Sequence, residues 1–99
     1  MMAFNMSSPS EVMADLSKKA KRRRIDASLT QRELAAKAGV SYSSLRQFEE
    51  TGRISLEALV KIAFVLGSEA EFDTLFPSTT PKTIDDVLDR PLRQRVRKP

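Results

Sequence analysis

The stretch "TQRELAAKAGVSYSSLRQFE", residues 30–49, holds two short helical patterns separated by a single glycine, Gly39. Each pattern is only about two turns long, and isolated helices under ~12–15 residues are marginal in water. Two such helices persist only if each braces the other and both rest on a shared core. The rest of the chain therefore has to supply that core, and it has to do so with helices.

Capping signals place those helices. Thr30 with Glu33 forms a capping box that opens a helix over 31–38, and Gly39 ends it with a positive φ. Ser41 caps the next helix, from 42 to about 50, and "TGRI" (51–54) is a turn. Before the pair, "SPSE" opens a first helix from 9 to about 25: Ser8 caps, Pro9 suits the first helical position and Glu11 completes a capping box. Val12, Met13, Leu16 and Ala20 give this helix one apolar stripe. After the pair, Ser55 caps a fourth helix over 56–66, closed by Gly67. Ser68 with Glu71 predicts a third capping box and a fifth helix over 69–76 carrying Phe72, Leu75 and Phe76, stopped by Pro77. No segment before Pro77 alternates at period two, so the predicted fold is all-α with five helices and a short basic C-terminal tail. Leu34, Ala38, Val40, Leu45 and Phe48 should point into the core, with Ala35 at the crossing of the paired helices.

The 99 residues suit one domain with tails. The expected organisation is a flexible lead over 1–8, a helix-turn-helix domain over 9–76, and a linker, short helical segment and basic tail over 77–99. The chain contains neither Cys nor His, which removes disulfides, zinc fingers, thiol nucleophiles and the commonest acid-base residue. Met1, Met2, Met6 and Met13 imply no cofactor, and Asp85 with Asp86 reads as helix-start charge, since adjacent carboxylates on a short helix point apart. No catalysis, cofactor or metal is expected. The start "MMAFNMSSPSEVM" has neither a basic region nor a long apolar region, and no apolar run approaches ~18 residues; the expectation is a cytoplasmic protein with no membrane partner. Lys and Arg number 17 against 13 Asp and Glu, a net charge of +4, which leans toward a polyanionic partner without establishing one.

The paired helices resemble a helix-turn-helix, which sets its second helix in the DNA major groove. "LTQRELAAKAGVSYSSLRQFEETG" resembles the lambda-repressor-like, Cro/C1-type (Xre) family in its Leu-Thr-Gln-x-x-Glu-Leu-Ala core, in Gly39-Val40-Ser41 and in the Glu before "TG", and "ISLEALVKIAFVLG" matches the family's fourth helix. Two residues separate Glu49 from Gly52 where many members have one.

The resemblance implies a sequence-specific DNA-binding repressor. Tyr42, Ser43, Arg46 and Gln47 match the positions that read bases: Arg grips guanine O6 and N7, Gln grips adenine, and Tyr or Ser meets a base or a phosphate. Gln31 matches a phosphate contact, made by its backbone N–H and side chain at a helix N-terminus. Ser41 and Ser44 are similar candidates, although Ser41 is also a cap. Arg53 and Lys61 are either phosphate contacts or solvated charge. In the run "KKAKRRR" (18–24), Lys18, Lys21 and Arg22 fall opposite Val12 and Leu16, as on a solvated helix face. Arg24 instead lies near the apolar side, and family members pair an Arg and a Glu at the positions of Arg24 and Glu49 beneath the helix-turn-helix. Such a pair would fix the angle of the third helix.

Two helices of this kind spaced by about one DNA turn give useful specificity where one does not. The expected partners are therefore a palindromic double-stranded operator and a second copy of the chain. With "LFP" and the "TIDDVLDR…RQRVRKP" tail, the chain looks like HipB-type antitoxins, which implies autorepression and binding of a HipA-like Ser/Thr kinase toxin. A general or phage-type Xre repressor without a toxin, and a protein-binding adaptor on the same fold, are the rival readings. "RQRVR" (93–97) is a strand with three Arg on one face, a phosphate-tracking arm or a disordered basic end.

Overall fold

The computed structural model describes residues 8–78. Four α-helices and one 3₁₀ helix follow in order: α1 (Pro9–Asp26), α2 (Gln31–Ala38), α3 (Tyr42–Thr51), α4 (Leu56–Leu66) and the 3₁₀ helix Glu69–Thr74. Among the described residues there is no strand, and the fold is all-α. The expectations for the lead and for the tail, including the short helical segment, Asp85 with Asp86 and the "RQRVR" arm, lie outside the described residues.

Side-chain caps start each α-helix. Ser8, Thr30, Ser41 and Ser55 accept hydrogen bonds from the backbone N–H groups of Glu11, Glu33, Ser44 and Ala58. At Thr30 the box is reciprocal, with the Glu33 carboxylate taking the Thr30 N–H at 2.9 Å. Each cap satisfies a donor that the helix itself leaves unpaired, typically worth about 1 kcal/mol.

The core is small and apolar. Leu34, Leu45, Phe48 and Ile62 are fully buried, with Ala35 between α2 and its neighbours. Leu34 and Ala35 come from α2, Leu45 and Phe48 from α3, and Ile62 from α4, so the two short helices are held by each other and by α4. Ala20, Ala38 and Val40 pack around this cluster while half-buried.

Two sequence expectations are corrected. The segment after Gly67 is a 3₁₀ helix with no side-chain cap rather than an α-helix opened by a Ser68–Glu71 box. Ser68 is already used: its N–H closes the end of α4 on the Ala63 carbonyl at 2.8 Å. That bond holds it at φ −109, ψ 9, outside the extended conformation a capping residue needs. The second correction concerns the apolar stripe of α1. Met13 and Ala20 turn inward, but Val12 and Leu16 are exposed, as are Leu56, Phe64, Leu75 and Phe76 further on. The helices α1 and α3 end one residue later than expected, at Asp26 and Thr51.

Glycines at two helix ends separate two physical demands. Gly39 sits at φ 73 with open space where a Cβ would go. Gly52, which closes α3, sits at φ 84, and a Cβ there would lie 3.0 Å from the Met13 carbonyl carbon. Gly39→Ala should therefore destabilise by the left-handed strain alone, about 1–2 kcal/mol. Gly52→Ala should cost more, because α1 must also move. Urea unfolding of the two variants checks the order; equal losses would mean that the contact with α1 yields freely.

Candidate nucleic-acid interface

A side-chain contact links the first turn of α2 to the first residue of α3. The Arg32 guanidinium of α2 stacks over the ring of Tyr42, the first residue of α3, with Cζ 4.0 Å from the ring centroid. Each helix start also carries backbone N–H groups without intrahelical partners and the positive end of a helix dipole. At the start of α3 three hydroxyls gather. Ser41 Oγ accepts the Ser44 N–H at 3.0 Å, donates to Ser44 Oγ at 2.8 Å and lies 3.4 Å from Ser43 Oγ. Backbone N–H groups, hydroxyls and a guanidinium form a donor-rich surface of the type that binds phosphate.

Further along α3, Leu45 and Phe48 face the core while Ser43, Ser44, Arg46 and Gln47 are exposed. Tyr42 is half-buried, its ring shared between the core cluster and Arg32. Arg46 makes an i,i+4 pair with Glu50, Nε to Oε2 at 3.3 Å, both side chains more than half exposed. A pair of this kind is worth only ~0.3–0.5 kcal/mol and yields easily to a better acceptor. Arg53 is exposed beyond the end of α3, its backbone N–H on Thr51 Oγ1 at 3.1 Å. Lys61 lies on α4 and pairs with Glu57 at 3.2 Å.

Beneath this surface lies an ionic knot. Arg24 of α1 grips Glu49 with two bonds, Nε to Oε2 at 2.8 Å and Nη2 to Oε1 at 3.1 Å, and its Nη1 donates to the Leu29 carbonyl at 2.8 Å. Gln31 Nε2 adds a third donor to Glu49 at 2.8 Å. The two charged side chains are only 10% and 3% exposed, so the pair is desolvated and its geometry is fixed by bidentate bonding. Arg22, by contrast, reaches Asp26 in the open at 3.4 Å.

The structure thus assembles Tyr42, Ser41, Ser43 and Ser44 at one helix start, with Arg46 and Gln47 further along the same helix. Gln31 belongs by its side chain to the knot, and its backbone N–H remains its link to the helix terminus. Sequence reasoning missed Arg32. It reads as an ordinary helix charge, and only the folded arrangement of α2 and α3 gives it the Tyr42 ring to stack on.

The family model described as Helix-turn-helix (HTH_3) matches residues 21–72, more than half of the chain. The chain belongs to this helix-turn-helix family, of the lambda-repressor-like (Xre) type, and is a DNA-binding transcriptional regulator. No curated protein matches it. Among the described residues no helix is long and apolar enough to cross a membrane, and no cluster of three or more acidic residues is placed to hold a metal.

Proposed function

We propose that this regulator is a sequence-specific repressor that binds a palindromic operator as a homodimer through the exposed face of α3. The observation that carries the reading is the exposed Arg46–Gln47 edge continuing from the donor-rich start of α3. The arrangement sorts the contacts. Arg46 and Gln47 carry bidentate groups suited to guanine and adenine edges in the major groove. Ser41, Ser43, Ser44, Arg32, Arg53 and the Gln31 N–H supply phosphate donors that fix register, and Tyr42 meets a base or a phosphate through its hydroxyl. The domain comprises residues 9–76.

Arg32→Ala tests the phosphate assignment. It should weaken binding to every duplex by a similar factor and lower the slope of log K against log salt by about one. Loss confined to one sequence would make Arg32 a base reader instead.

The finer reading, supported by the tail's likeness to HipB-type antitoxins, is that the chain represses its own operon and binds a HipA-like kinase toxin encoded beside it. Co-expression with the neighbouring gene product followed by size-exclusion chromatography tests this: co-elution is expected. Separate elution would leave a repressor without a toxin partner. Removing residues 91–99 should abolish toxin binding with the salt slope unchanged if the tail serves the protein partner.

A further inference from the structure

Among the described residues an open apolar groove of about 330 Å³ lies between α1, α4 and the 3₁₀ helix. Leu16, Leu56, Leu59, Phe72 and Leu75 line it, and none of its lining residues belongs to α2 or α3. It can therefore be filled without touching the surface assigned to DNA. Leu16, Leu56 and Leu75 are all exposed here. The wall of the groove is almost entirely apolar. On the α1 side the groove is edged by Lys19 and Arg23, one helical turn apart, and on the opposite side by Glu71. Lys19 has Asp15 as a neighbour at 3.1 Å, while Arg23 has no ion-pair partner among the described residues.

We infer that this groove is the docking site of the chain's own segment "TIDDVLD", residues 83–89. Ile84, Val87 and Leu88 fall at i, i+3 and i+4, the spacing of one helix face. Asp85, Asp86 and Asp89 occupy the other positions and complement the Lys19–Arg23 edge. A cavity of about 150 Å³ admits a benzene-sized group, so the groove has room for about two of these three aliphatic side chains. The reach agrees as well. Leu75 already lines the groove, and the five Cα–Cα steps from Ser78 to Thr83 span up to about 17 Å when extended. So short a tether holds the segment at an effective concentration of about millimolar, which lets a weak contact form within one chain. The docked segment covers the apolar wall left open by α1 and α4.

The absence of Cys makes a clean test. A nitroxide spin label placed on Arg90→Cys in the full-length chain should broaden the NMR signals of Leu16, Leu56 and Leu75 and leave those of Gln47 sharp. Adding Val87→Asp and Leu88→Asp to the labelled chain should restore the groove signals, and Arg23→Glu should restore them in part. Mixing spin-labelled, unenriched chain with isotope-enriched, label-free chain separates the sources. Absence of broadening in the mixture supports docking within one chain. Broadening in the mixture as strong as in the single species would assign the groove to a second copy and overturn the inference. Sharp groove signals in the labelled chain itself would overturn it as well.

Discussion

Arg24→Met should lower stability by about 3–5 kcal/mol. The substitution removes one partner of a pair that water barely reaches and leaves the Glu49 carboxylate, 3% exposed, with the Gln31 amide as its one side-chain donor among the described residues. It also strips the Leu29 carbonyl of its guanidinium donor. For a domain this size 1 kcal/mol shifts the midpoint by roughly 4–8 °C, so the melting temperature should fall by more than about 12 °C. Arg22→Met provides the control: it breaks an exposed contact with Asp26 and should change stability by less than about 0.5 kcal/mol. Glu49→Gln keeps an acceptor for Arg24 but removes the charge, and should fall between the two. If Arg24→Met proves as harmless as Arg22→Met, apolar packing alone sets the angle between α1 and α3. Losses of DNA binding in the Arg24 variant should track the unfolded fraction near the midpoint. Well below it they should exceed that fraction, because the knot holds the helix that carries Arg46 and Gln47.

The second large effect concerns specificity. Arg46→Ala and Gln47→Ala should each weaken operator binding by about 1–3 kcal/mol, roughly 5- to 150-fold, with little change on random duplex. Neither side chain packs into the core, so the melting temperature should stay within a degree or two of the parent. The Arg46–Glu50 contact adds a second expectation. In the free protein Glu50 holds the guanidinium, and in the complex its carboxylate stands near a polyanion. Glu50→Gln should therefore raise affinity for DNA of any sequence. Parallel loss on operator and random DNA in the Arg46 and Gln47 variants would make them phosphate contacts.

What could be read from the chain follows a physical division. Local signals are self-contained: Thr30 with Glu33, Ser41, Ser55 and the three glycines act within one turn of their own position, so spacing alone locates the helices they bound. The core residues Leu34, Leu45 and Phe48 follow from helical phase. Ser68 misled because two helix ends compete for it, and the closure of α4 on Ala63 takes precedence over the cap of the next helix. Val12 and Leu16 misled because periodicity shows that a stripe is apolar without showing what covers it. The facing of Arg24 and Glu49, 25 residues apart, is legible only through the family resemblance. The stacking of Arg32 on Tyr42 depends on how α2 and α3 cross, and no one-dimensional pattern carries that.

The claim on which the functional account turns is that α3 reads bases in the major groove at two half-sites. Guanine methylation interference on the DNA upstream of the chain's own gene addresses it directly, since methyl groups at N7 project into the major groove where Arg46 would bind. Two interfering clusters are expected, centred about 10 base pairs apart or a multiple of that, with the guanine signal lost in Arg46→Ala. Binding that tolerates N7 methylation throughout, with protection spread evenly along the duplex, would contradict it.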